Sequence, residues 1–222
     1  MENIKNPIIR YLLAILLFIG LLTLDQTSTV LIVLGPTISS NQTFVYIIAT
    51  LLLLTTVGIS YYLARKQGWM KPITQTITKD NWKFILSMFA LTYLLKLLSG
   101  VILQLFGVNV APENQQAIES LMKQIPTWYM GLMILVLAPM VEEFICRALI
   151  FKTIKNKKIA FVVAMLVFAL LHVSGQFDLS FIVYLSMSAA LTYTYYRHEN
   201  LNESIAVHFL NNLIGFVALL VM

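Results

Sequence analysis

A single cysteine, Cys146, excludes any disulfide within the chain, and its place inside an apolar stretch makes it a small packing residue. Charge is also scarce. Only 11% of the 222 residues are charged and 59% are hydrophobic, whereas a soluble domain carries about 25% charged residues. The connections between apolar runs are too short to build a soluble domain, so the composition is that of a membrane protein. No internal repeat and no low-complexity segment is present.

The net charge of +5 would suit an acidic partner, but the positions of the charges argue against nucleic acid. Seven hydrophobic segments, roughly 8–24, 44–64, 83–106, 128–151, 159–174, 178–196 and 201–221, are long enough or nearly so to cross a ~30 Å core. Lys5 and Arg10 precede the first; Arg65, Lys66, Lys71, Lys79 and Lys83 fill the second connection. Lys152, Lys155, Lys157 and Lys158 fill the fourth, and Arg197 stands in the sixth. The alternate connections hold only Lys123. This asymmetry predicts a cytoplasmic N-terminus and an external C-terminus, and explains the net charge as topology. Lys5 and Arg10 resemble the start of a signal peptide, but no small-x-small site follows, so the first segment reads as a retained span. The stretch 27–40, interrupted by Gly35–Pro36, is expected to be a partial or re-entrant helix. The loop 107–127, with Ala117, Leu121, Met122 and Ile125 at helical spacing, is expected to form an amphipathic surface helix or a lid. Lys96 lies mid-span, and is expected to snorkel or to pair with a carboxylate.

The fourth segment carries Leu135 to Lys152, LVLAPMVEEFICRALIFK. A charge in hydrocarbon costs at least ~2.5 kcal/mol, so charges inside a span face a cavity or a partner. Glu143 and Arg147 are four apart on one helix face, in a good order for an ion pair. Glu142, rotated roughly 100° from Glu143, has no partner in its own helix. Three further polar residues occur later. His172 ends the run FVVAMLVFALLH, and His208 and Asn212, also four apart, share one face of the last segment. At 1.5 Å per residue from the basic ends, Glu142 lies ~15 Å deep, His172 ~20 Å, His208 ~11–14 Å and Asn212 ~17–20 Å. Segments running in opposite directions thus bring four polar groups to similar depth, in a cavity expected to open toward the cytoplasmic half. A carboxylate held away from bulk water can act as general base toward a water molecule. One histidine can position that water or protonate a leaving amine, while His208 and Asn212 can donate to an oxyanion.

Glu-Glu-x-x-x-Arg, Phe-x-x-x-His and His-x-x-x-Asn on three separate spans resemble the CPBP family, the CAAX-processing and bacteriocin-processing intramembrane endopeptidases, also called Abi proteins. The residues that carry the resemblance are Glu142, Glu143 and Arg147; Phe168 and His172; His208 and Asn212. It covers about 75 residues within the C-terminal 95, and the N-terminal half carries no motif of the family. The resemblance implies that Glu142 activates water with His172, that His208 and Asn212 form the oxyanion site, and that Phe168 packs along the pocket. Glu143 and Arg147 are supporting residues. The expected architecture is an all-α, polytopic membrane bundle of about seven transmembrane helices. Residues 1–126 would form an N-terminal transmembrane region and 127–222 the four-helix catalytic core.

No His-Glu-x-x-His and no Gly-x-Gly-Asp occurs, which argues against zinc site-2 and aspartyl types. His172-Val173-Ser174-Gly175 resembles the end of a rhomboid Gly-x-Ser-Gly with its first glycine replaced, a poor fit to a serine nucleophile. Metal-free catalysis is the expectation; a zinc ion on Glu142, His172 and His208, with one open position, is the alternative. The expected partners are the bilayer and a membrane-associated peptide or protein substrate, CAAX-like or a leader or pre-peptide, with no nucleic acid. A bacterial plasma membrane is the expected location. The competing non-enzymatic reading is an immunity or scaffold protein that binds a peptide without cutting it. An unpaired buried carboxylate such as Glu142 serves a hydrolase and adds little to a binding module.

Overall fold

The computed structural model describes residue 1 and residues 4–107, 125–173 and 179–221. Most of the 107–127 surface helix or lid, and Ser174 and Gly175 of the rhomboid-like stretch, lie outside the described residues. All described secondary structure is helical. We number the helices α1 (Pro7–Ile38), α2 (Gln42–Lys66), α3 (Ile73–Thr76), α4 (Lys79–Leu105), α5, α6 (Lys157–Leu171), α7 (Ser180–His198) and α8 (Leu201–Val221). The helix α5 is continuous from Thr127 to Thr153: α-helical over Thr127–Leu132, Ala138–Glu143 and Ile150–Thr153, with π-turns at Met133–Leu137 and Phe144–Leu149. Polar side chains start several of them. Asn6 accepts from the amides of Ile8 and Ile9, Asn41 from Phe44, Thr78 from Asn81, and Asn156 from Lys158 and Ile159.

Seven long helices occupy the seven hydrophobic segments. Four of them, Pro7–Gly35 of α1, α2, α4 and α8, are long and apolar enough to cross a membrane on their own. The charged α5 is not one of these; it lies in the middle, packed on by α1, α2, α6, α7 and α8. With α4 laid against α7 and α8, the surrounding helices bury the stretch of α5 from Val141 to Phe151 apart from Glu142. That shielding lets α5 keep polar groups a lone span could not tolerate.

The first segment differs from expectation. Instead of a span over 8–24 and a broken piece over 27–40, α1 runs unbroken to Ile38. Ser28, buried against α2, donates to the Ala49 carbonyl at 2.8 Å, and the exposed Thr37 donates back to Leu34 within the last turn at 2.7 Å. Pro36 falls in the last turn, where it removes one backbone donor with little helix left beyond it to disrupt. Gly35 is there for contact, not for a break, since a Cβ at that position would lie 2.9 Å from Val45 Cγ1 on α2.

A polar cluster fixes the turn between α7 and α8. Asn200 Nδ2 donates to Thr76 Oγ1 of α3 at 3.2 Å and to Glu203 Oε1 at 3.0 Å, and Glu203 Oε2 meets His198 Nδ1 at 2.6 Å. His198 is thereby structural. Glu199 ends α7 in the left-handed region (φ 48°), a conformation a glutamate adopts at a cost of about 1 kcal/mol. Lys152, at 2.5 Å, and Lys157 both bind its carboxylate there. Burial alone would raise the Glu199 carboxyl, but these two donors outweigh it and hold it below the usual carboxylate range.

Two outcomes follow from these contacts. Gly35→Ala should lower the thermal stability of the purified protein by about 1–3 kcal/mol, because a β-branched neighbour cannot retreat. Val45→Ala in the same chain should restore most of the loss; no recovery would show that the close approach is not the cause. A carboxyl held low adds stability above its unfolded pKa and loses it as pH falls through the folded value. Glu199→Gln should therefore lower stability at neutral pH by about 1 kcal/mol or less at this partly solvated site, read as a lower melting temperature. The two proteins should melt together once the medium is acid enough to protonate Glu199.

Candidate active site

Local backbone irregularity sets this site up. Within the first π-turn of α5 the amide of Ala138 reaches back to the Met133 carbonyl. The Ile134 carbonyl is then left to position 139, a proline with no N–H to give. Asn212 Nδ2 on α8 donates to that carbonyl at 3.0 Å. Asn211 Nδ2 in turn donates to Asn212 Oδ1 at 3.2 Å. One turn on, α5 delivers Glu142 and Glu143 to opposite purposes.

Glu143 and Arg147 are both 0% exposed and pair at 3.2 Å, as their spacing predicts. Glu143 Oε1 also lies 2.9 Å from His208 Nδ1. Spacing assigns Glu143 only to Arg147; in the structure Glu143 holds His208 too. Spacing within one helix could not show this link, because the partner comes from α8. Arg147 further donates to Ser188 Oγ at 3.4 Å and stacks its guanidinium over Phe168, 4.2 Å from the ring centroid. On its other neighbours the same ring stacks against His172 at 4.2 Å and meets His208 edge-on at 5.7 Å. Phe168 is fully enclosed, so it backs both histidines from behind and is not part of the cavity surface.

His172 stands just past the last turn of α6. Its backbone amide bonds to the Ala169 carbonyl and its ring Nδ1 donates to the Phe168 carbonyl at 2.8 Å, which closes the helix at Leu171, short of the end of the hydrophobic segment. A carbonyl accepts only, so Nδ1 carries the proton and Nε2 is left with its lone pair. His208 turns Nδ1–H to the Glu143 carboxylate at 2.9 Å, and beside that negative charge its Nε2 can carry a proton as well.

Glu142 is the member left open, its side chain 26% exposed against 2% for His208. One of its oxygens, Oε2, lies 3.6 Å from His172 Nε2 and 3.7 Å from His208 Nε2. Both gaps exceed a direct hydrogen bond and suit a water molecule shared between the groups. Glu142, His172, His208 and Asn212 all line one cavity of about 320 Å³. Cys146, buried and free, does not line it. Among the described residues no set of three His, Cys, Asp or Glu side chains is spaced to hold a metal ion.

Asp25 of α1, Asn211 and Tyr184 are among the lining residues that the sequence does not single out. Asp25 had a signal, an acid in a long apolar run, hidden by the assumption that the first helix ended before it. Asn211 and Tyr184 had none.

A family model described as type II CAAX prenyl endopeptidase Rce1-like matches residues 124–214, the stretch that holds the site residues of α5, α6 and α8. Among similar proteins, the UPF0177 protein YvdC of Lactococcus lactis subsp. lactis (strain IL1403) is 35% identical over 184 residues, 79% of this chain and 67% of that protein. UPF0177 protein YajF of the same strain is 34% identical over 142 residues, 64% of this chain and 69% of that one. A UPF0177 protein in the abiGi 5′ region of Lactococcus lactis subsp. cremoris is 30% identical over 166 residues, 73% and 70% of the two chains. No solved structure matches the chain.

Removing Arg147 strands a fully buried carboxylate. Arg147→Ala should destabilise the protein by about 3–5 kcal/mol, read as loss of monodisperse protein after solubilisation and a lowered melting temperature. An Arg147→Ala protein as stable as wild type would show that the pair is not structural.

Proposed function

This chain belongs to the CPBP family of intramembrane endopeptidases and to its UPF0177 relatives, and on that premise we propose that it hydrolyses peptide bonds with a water molecule activated by Glu142. The observation that carries the reading is the convergence of two imidazole Nε2 atoms on one Glu142 oxygen, at 3.6 and 3.7 Å. A water held in that gap gives a proton to the Glu142 carboxylate as its oxygen adds to the scissile carbonyl carbon. The carbonyl electron pair moves to oxygen. His208, its charge balanced by Glu143, donates Nε2–H to the resulting oxyanion; the amide hydrogen of Asn212 not spent on Ile134 is the second donor. The proton on Glu142 then passes to the departing amine nitrogen, directly or through His172, as the C–N bond breaks. The steps are written without a metal, because Glu142 and the two imidazoles carry the proton transfers themselves.

The substrate in this reading is a membrane-associated peptide or protein, CAAX-like or a leader or pre-peptide, met inside the helical bundle where the cavity lies. The distribution of basic residues supports a cytoplasmic N-terminus in a bacterial plasma membrane.

Mapping peptide termini in membrane and secreted fractions of cells carrying wild type, Glu142→Gln or His172→Ala tests the reading. Termini present with wild type should disappear in both variants at equal protein level, a loss of at least about 10²-fold in cleavage. A chelator should leave cleavage by the purified protein unchanged. Identical termini in all three strains, with cells that still differ in bacteriocin sensitivity, would replace the hydrolase with a binding or immunity role.

A further inference from the structure

The chemistry above uses nothing from α1 or α4, yet each contributes a charged residue to the wall of the same cavity, Asp25 and Lys96. Lys96 was expected to snorkel or to find a carboxylate. Among the described residues it has neither an ion pair nor a side-chain hydrogen bond, and it is turned to the cavity that holds Glu142, His172 and His208. Its position is held. Ser99 Oγ, one turn along α4, bonds to the Leu95 and Lys96 carbonyls at 2.9 and 3.0 Å and to Ser186 Oγ of α7 at 3.0 Å. Ser186 Oγ also reaches the Leu95 carbonyl at 3.3 Å. These bonds fasten the Leu95–Ser99 turn to α7, whose Val183, Tyr184 and Met187 form the adjoining wall. The cation is thus mounted on the cavity, not left on a loose helix face.

Asp25 stands on a different wall, because α1 packs on α2 and α5 whereas α4 packs on α7 and α8. With Glu142 it makes one part of the cavity acidic, which leaves the Lys96 side as the part that attracts an anion. A cation kept in an enclosed space costs free energy unless something balances it. In a peptide-hydrolysing cavity the anion at hand is a carboxylate of the peptide itself. We propose that Lys96 is a specificity-determining residue that binds a carboxylate of the bound peptide, its C-terminus or an Asp or Glu side chain. This deepens the hydrolase reading and rests on it for the identity of the ligand as a peptide.

The test reads binding, so that it does not depend on turnover. Immobilised full-length Glu142→Gln protein is offered an equimolar random decapeptide library made once with free C-terminal carboxylates and once as C-terminal amides. Retained peptides are counted by mass spectrometry. Free acids should be enriched roughly tenfold over amides, the scale of one charge-assisted hydrogen bond. Enrichment instead of Asp- or Glu-containing sequences in both forms would identify a side chain as the carboxylate. Adding Lys96→Met should abolish whichever preference is seen, and adding Lys96→Arg should keep it. Equal retention of all sequences in both forms, no retention of either, or a preference that survives Lys96→Met would overturn the proposal. A Lys96-dependent preference for peptides that the wild-type protein then leaves uncut would overturn the hydrolase reading and leave the carboxylate site standing.

Discussion

The enclosed pair of Glu143 and Arg147 is the constraint to which the rest of this structure answers. Taking two charges out of water costs several kcal/mol for each, and their attraction repays it only when further polar partners complete the set. Here the partners arrive from three other helices: Ser188 from α7, His208 from α8, and the face of Phe168 from α6. A pair formed within one helix therefore becomes a joint between four. The same joint orients both histidines, since Glu143 holds the Nδ1 of one and Phe168 backs the rings of both. Stability and site geometry are two consequences of one buried charge balance.

The division between the adjacent glutamates follows from helix geometry. Successive residues point about 100° apart, so when Glu143 turns inward to Arg147, Glu142 must turn elsewhere, and what it meets is the cavity. The π-turns of α5 on either side shift the register of that short segment against its neighbours. Pro139 leaves the Ile134 carbonyl without a backbone donor, and Asn212 fills the vacancy from α8. A defect in one helix is satisfied by the side chain of another, which ties the depth of α8 to that of Glu142. Breaks of this kind persist in membrane helices where neighbouring side chains re-satisfy the backbone.

Much of this was legible from charge alone. A Glu-Glu-x-x-x-Arg run inside apolar sequence announces an enclosed pair and a spare carboxylate, and counting rise per residue brought His172, His208 and Asn212 to the depth of Glu142. Contacts between helices were not legible. The bond from Glu143 to His208 and the place of Phe168 behind the cavity wall depend on how helices rotate about their axes, which periodicity does not specify in a bundle apolar nearly all round. The run of α1 through Asp25 was misread for a different reason. Gly35–Pro36 is a strong breaking signal in isolation, but a proline in a final turn removes only one bond, and the glycine serves the approach of Val45.

The continuity of α1 determines how the two halves of the chain share one task. With α1 ending early, the N-terminal half would be apolar casing around a motif-bearing core. With α1 continuous, it places Asp25, and α4 places Lys96, on the walls of the cavity whose centre is Glu142. The groups proposed to break a peptide bond come from α5, α6 and α8, where rigid mutual contact fixes them to within a water's width. The charges that remain come from helices farther from that joint and from opposing walls. Reactive groups must be held against one another, whereas groups that sort ligands need only face the space the ligand fills. The polar residues outside the motif are therefore where variation among related chains can alter what is bound without disturbing the buried charge balance that keeps the site assembled.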